Sequence, residues 1–134
     1  ISGLVGSEMC IRDRLKDPGH DEVVVRVLHS GISTGTEKLL WSGAMPPFPG
    51  LGYPLVPGYE AVGEVIEAPK GASVKVGDLV FVPGSNGFVD AKGLFGGSAR
   101  HLVTSVKRIT KRKSEIGEKG VLYALAATAR HVLP

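Results

Sequence analysis

The sequence predicts a mainly β domain followed by one helix. Three observations carry that prediction. Glycine accounts for 19 of the 134 residues, about twice the ~7% of an average chain, which favours frequent turns over long helices. Short β-branched runs recur between Gly and Pro punctuation. Only beyond residue 115 does the composition change to Ala and Leu, the strong helix formers. At 134 residues the length is that of one domain, enough to bury a real core.

Taken in order, residues 1–14 are set apart. The string V-G-S-E-M-C-I-R-D-R at 5–14 resembles adapter-derived sequence left in translated assemblies, and it is excluded from fold reasoning as a processing scar would be. Cys10 lies inside it and is given no role. The working division is 1–14 as a non-native segment, 15–114 as a β domain, and 115–134 as the start of a C-terminal helix. Residues 15–21 read as a turn at Pro18-Gly19. E-V-V-V-R-V-L-H at 22–29 is a strand whose apolar run suggests burial on both faces.

Residues 31–63 hold most of the prolines, the single Trp and two of the three Tyr. Lacking both periods, they read as a long structured loop, the kind of connection that carries function. Residues 60–68 alternate apolar and acidic and predict a half-exposed strand. A turn follows at 69–71, and a turn at Gly77-Asp78 leads into a buried strand up to residue 83. Residues 84–97 form a second glycine-rich loop with Asn86, Phe88 and Phe95. A strand is expected at 99–105 and a short last one within 106–111. Apolar residues at Leu122, Leu125, Ala126 and Ala129 predict a helix over 119–132.

Charge and cysteine content narrow the function classes. The net charge is +3, concentrated in K-R-I-T-K-R-K at 107–113. That run reads either as a phosphate-binding patch or as a solvated strand end. No aromatic residue is interleaved with it and Glu115 and Glu118 follow, so nucleic acid is not an expected partner. A single cysteine excludes an internal disulfide and a multi-thiolate zinc site. No apolar run approaches the ~18 residues of a membrane span, and no signal-peptide pattern is present. A soluble, cytoplasmic protein is the expectation.

G-I-S-T-G-T-E at 31–37 and P-G-Y-E-A-V-G at 57–63 resemble the catalytic-domain signature of the medium-chain dehydrogenase/reductase family, usually written G-x-C-x-T-D and then G-H-E-x-x-G. W-x-G-x-M-P-P-F-P-G, G-D-x-V-F-V-P-G and G-L-F-G-G strengthen the likeness to the zinc-free branch that serves bacteriochlorophyll synthesis. The similarity covers roughly residues 15–134. It implies a GroES-like, partly open β-barrel with a C-terminal linking helix. It also implies a Rossmann cofactor domain, for which this sequence shows no G-x-G-x-x-G loop. The implied reaction is oxidation of the 3-(1-hydroxyethyl) group of bacteriochlorophyllide a to 3-acetyl with NAD or NADP. On this reading the 134 residues alone are inactive, and the complete enzyme is a homo-oligomer. A zinc-free quinone or enoyl reductase of the same fold is the alternative, and a small basic nucleic-acid-binding barrel a distant one.

The resemblance also selects site residues. Zinc members hold their metal with a Cys and the His of G-H-E. The His position is Tyr59 here. The Cys position is Ser33 counted from Gly31, or Thr34 counted back from Glu37. Neither is a good zinc ligand, so no metal is expected. Thr36 matches the Ser/Thr that relays the alcohol proton. Tyr59 is the second candidate, since a phenol exchanges a proton with a substrate oxygen once its high pKa is lowered. Glu60 either orients Tyr59 or bonds turn amides. Against these roles, Thr36 is also a plausible cap for a helix begun by Glu37, and Tyr59 a plausible buried aromatic. Trp41, Met45 and Phe48 either bind a flat macrocycle or cover the barrel's open end, with Phe88 and Phe95 as an opposite wall. Ser33 and Thr34 join this substrate-binding set. Thr128 matches a Thr of the linking helix beside the nicotinamide.

Overall fold

The computed structural model describes residues 15–132. Residues 1–14, with Cys10 and the expected scar, lie outside the described residues. The β-branched runs do become the centre of the molecule. Strands β1 (Glu22–Ser30), β3 (Ala61–Glu67), β4 (Leu79–Val82), β6 (His101–Ser105) and β7 (Thr110–Lys111) form one antiparallel sheet in the order β6-β1-β3-β4-β7. A parallel pair, β2 (Leu55–Val56) and β5 (Lys92–Gly93), lies apart from it. Among the described residues the edge strands β6 and β7 do not pair with each other, so the GroES-like barrel stays open.

Val23, Val25, Val65, Val80, Val82 and Leu102 are inaccessible or nearly so and make the core. Burial of this kind is worth about 1.5–3 kcal/mol per side chain before entropy is counted. The expected two-sided burial of β1 holds only over Val23–Val25: beyond Arg26 the strand stays paired with β3 but no longer with β6, and it is largely exposed. The register against β3 shifts twice, between Val24 and Val25 and between Val27 and His29. Conversely, β3 is more buried than its acidic alternation suggested: Ala61, Val62, Gly63 and Val65 are all enclosed. Gly63 sits where β1 crosses closest. A Cβ there would stand 2.3 Å from the Arg26 carbonyl oxygen, so only glycine fits.

The first turn falls at His20-Asp21, one step beyond Pro18-Gly19, with the Glu22 amide donating to the Gly19 carbonyl. The stretch 31–63 is not all loop. It contains helix α1 (Thr34–Ser42), ended by Gly43 at φ 70°. The glycine and β-branched residues of its first turn masked its period. The expected last strand within 106–111 resolves into a 3-10 turn at Val106–Arg108 and the short β7. The C-terminal helix α2 starts later than expected, at Tyr123. Before it the chain runs as 3-10 segments over Ser114–Leu122, kinked at Gly117, which has φ 54°. Among the described residues no helix is long and apolar enough to cross a membrane.

Candidate functional site

The site forms where the two glycine-rich stretches are sewn together by main chain. The amides of Leu94 and Gly96 both donate to the Val56 carbonyl, at 3.1 and 2.8 Å. The Gly97 amide donates to Gly58, at 2.7 Å, and the Lys92 amide to Pro54, at 2.9 Å. Ser85 ties the second stretch to the sheet: its hydroxyl, 1% exposed, donates to the Val103 carbonyl at 2.6 Å and accepts from the Gly87 amide. Helix α1 closes the other side. Its C-terminal end is pinned by Tyr53, whose hydroxyl donates to the Leu40 carbonyl at 2.5 Å.

Between them lies a cleft of about 370 Å³ lined by Thr36, Leu40, Met45, Phe48, Tyr59, Leu94 and Phe95. Its wall is almost wholly apolar, apart from the hydroxyls of Thr36 and Tyr59. The Tyr59 ring meets Phe95 edge to face, with centroids 5.5 Å apart and planes at 89°, which fixes its plane. The Tyr59 hydroxyl donates to Ser33 Oγ at 2.5 Å, and Ser33 Oγ lies 3.4 Å from Thr36 Oγ1. Three hydroxyls from two chain segments thus form one run along the cleft's edge. Glu60 is buried, at 6% exposure, against Gly31. The Gly31 amide donates to the Glu60 carbonyl at 2.7 Å. A Cβ on Gly31 would lie 2.3 Å from Glu60 Oε2, so the carboxylate occupies the space that glycine leaves.

The structure thus brings together Thr36, Tyr59, Ser33, Met45, Phe48 and Phe95 from the sequence-selected set. Others it places elsewhere. Trp41 is 92% exposed and lies along a second groove of about 560 Å³ with Glu37, Tyr53 and Leu55; Leu40 separates the two spaces. Phe88 packs on the core and lines a third groove with Asn86 and Asp90, so the wall opposite α1 is Phe95 with Leu94. Thr34 points to solvent at the start of α1. Thr36 sits inside the helix, and the capping position belongs to Ser33. Thr128 is exposed on α2, its hydroxyl donating to the Ala124 carbonyl at 3.0 Å. Leu40 and Leu94 are lining residues that the sequence did not reveal. Leu40 belongs to a helix of which the sequence offers only a start near Glu37, and Leu94 looks like any apolar residue in a glycine-rich loop.

The basic run is dispersed rather than gathered. Lys111 Nζ pairs with Asp78 at 2.8 Å, holding that carboxyl below its ordinary range, and Arg112 is half-buried beside Gly120. Elsewhere, burial against β1, with Arg100 and Arg26 nearby, pushes the His101 imidazole down.

A family model described as the alcohol dehydrogenase GroES-like domain matches residues 19–114. A 2-desacetyl-2-hydroxyethyl bacteriochlorophyllide A dehydrogenase from Rhodobacter capsulatus is 56% identical over 120 residues, covering 89% of this chain and 38% of the relative. One of the same description from Cereibacter sphaeroides is 54% identical over 125 residues, covering 90% and 39%. The chain therefore spans under two-fifths of the length of these curated relatives. Among solved structures, Haloferax mediterranei glucose dehydrogenase in complex with NADP, Zn and gluconolactone superposes with a TM-score of 0.59 and 25% identity, covering 79% of this chain and 36% of that one. The chain belongs to the alcohol dehydrogenase GroES-like domain family.

Proposed function

We propose that this chain is the substrate-holding part of a nicotinamide-dependent dehydrogenase that oxidises the 1-hydroxyethyl side chain of bacteriochlorophyllide a to acetyl. The observation that carries the reading is the apolar cleft with hydroxyls along one edge, in a chain 56% identical to a relative of that description. A cleft of about 370 Å³ takes the ring edge that bears the side chain, not a whole macrocycle. The remaining disc lies outward over Met45 and Phe48, soft and flat surfaces suited to it.

The chain's own chemistry is to hold the alcohol oxygen. Thr36 and Tyr59 exchange hydrogen bonds with it, and as hydride leaves for the nicotinamide its proton passes through Ser33, which is half-exposed, to water outside the cleft, while the apolar wall keeps water from the reacting carbon. Glu60 braces the segment that presents Tyr59. A nicotinamide, when bound, supplies the hydride acceptor. The described residues include no phosphate-cradling loop, so this chain contributes Thr128 at most, and a further Rossmann domain binds the nucleotide. The donors at the site do not fit zinc. They are hydroxyls, where zinc favours thiolate and imidazole, and among the described residues no three His, Cys, Asp or Glu side chains come together.

The test uses a complete protein carrying this chain, supplied with 3-(1-hydroxyethyl)bacteriochlorophyllide a and NAD+ or NADP+. A red shift of the long-wavelength band with matching formation of reduced nicotinamide supports the reading. Activity on quinones or enones alone overturns the substrate, and stoichiometric zinc in the active protein overturns the metal-free site. Thr36→Val should lower kcat by on the order of 10²-fold or more.

A further inference from the structure

We propose that Ser33 is a positioning residue that gives up its place as a helix cap to hold the hydroxyls of Tyr59 and Thr36 as one unit. The proposal rests on the dehydrogenase reading above and adds to it a residue and a role. Ser33 stands at the N-cap of α1 with the extended backbone that capping requires, φ −82° and ψ 92°, and its carbonyl accepts the Glu37 amide at 2.9 Å. A serine so placed ordinarily accepts an amide of the first turn with its side chain. Here that side chain makes no cap hydrogen bond.

Instead the hydroxyl turns to a residue 26 positions away. It accepts from Tyr59 at 2.5 Å and approaches Thr36 Oγ1 at 3.4 Å. Tyr59 and Thr36 come from different segments, and both line the cleft. Ser33 joins them from the half-buried side without lining it. A side chain that breaks a local stability rule next to a site is where function overrides stability. Two hydroxyls tied to a common third are held at a fixed separation, so one substrate oxygen can meet both.

Three variants of the complete protein test this. Ser33→Asp supplies a strong cap and a charge suited to the helix N-terminus. It should raise Tm while lowering kcat by on the order of tenfold to a hundredfold, with little change in KM. Ser33→Ala has no side-chain cap bond to lose. It should lower kcat similarly and leave Tm within about 1 °C, less than the roughly 2–4 °C that losing a cap of about 1 kcal/mol removes from a larger chain. Ser33→Thr keeps a hydroxyl and should restore kcat. Unchanged kcat in Ser33→Ala overturns the inference, as does a loss that Ser33→Thr fails to restore. If the parent protein oxidises no alcohol, the function above falls and the Tm values decide alone. A stabilised Ser33→Asp beside an unaffected Ser33→Ala supports the uncapped serine. The reverse pattern makes Ser33 an ordinary cap and removes the proposal.

Discussion

The central sheet and the glycine-rich segment 84–97 are both tightly packed, but different forces hold them. The sheet is filled by side chains: Val23, Val25, Val80 and Leu102 lose nearly all their exposure to one another. The segment is filled by main chain. At Gly93 and Gly96 a Cβ would stand 1.9 and 1.7 Å from the Ser85 carbonyl oxygen, and at Gly84 it would stand 2.1 Å from that of Phe95. Side chains shrink or shift by degrees, so the sheet should yield gradually to substitution. Main-chain carbonyls cannot shrink, and that of Phe95 is held by the Ser85 amide at 2.8 Å, so the segment should fail outright.

The sharpest way to break that comparison is Gly96→Ala. The residue has φ 80° as well as the close carbonyl, and the change should cost more than about 4 kcal/mol or abolish folding, read by chemical denaturation. A mild loss would show that the segment relaxes and that the contrast is false. Next is Leu102→Ala, which removes a fully buried side chain from β6 and should cost about 2–5 kcal/mol with cooperative unfolding retained. Thr36→Val, by contrast, should act on turnover far more than on stability.

The pH response sharpens the sheet side. His101 pairs in register with Arg26 and is pushed below its ordinary pKa of about 6.5 by burial and by Arg100 and Arg26. The unfolded chain therefore takes up this proton at a higher pH than the folded one. Stability from this group is complete above the ordinary value and is lost as pH falls below it. His101→Gln should flatten urea midpoints across that window, while the parent loses stability there. A parent curve with the same slope as the variant would remove the assignment. The smallest effect is expected at Leu125→Ser on α2. Leu125 is 53% exposed, and the change should stay within about 0.5 kcal/mol in this chain.

This contrast also separates what could be read in the sequence from what could not. Strands β1 and β4 announce themselves, because β-branched runs between turns have few other uses. The family-wide architecture and the candidate pair Thr36 and Tyr59 were legible from short ordered motifs. Helix α1 is only half legible: Glu37 signals a start, but Gly35 and Thr34 weaken the first turn and prolines crowd the residues just after its end. The β2–β5 ladder is two residues long on each side and has no period to detect. Phe88 and Phe95 are chemically alike. Which of them faces the cleft is decided by carbonyl-to-amide stitching between residues 54–58 and 92–98, which leaves no mark on side-chain composition. The start of α2 moved for a related reason, since Gly117 and Gly120 make the approach to it a 3-10 path that propensity alone overlooks.

The stitching of the two glycine-rich stretches bears on how such a pocket diversifies. Because Val56 and Gly58 carbonyls receive amides from Leu94, Gly96 and Gly97, an insertion within 54–58 or 92–98 would put both sides out of register. Aperture is thus insulated from loop-length drift, the usual way surface loops explore new ligands. Adaptation to a wider or narrower substrate is channelled instead into Met45 and Phe48, whose segment lies outside that stitching. Selection for a new substrate should therefore accumulate substitutions at those two positions and leave the loop lengths unchanged.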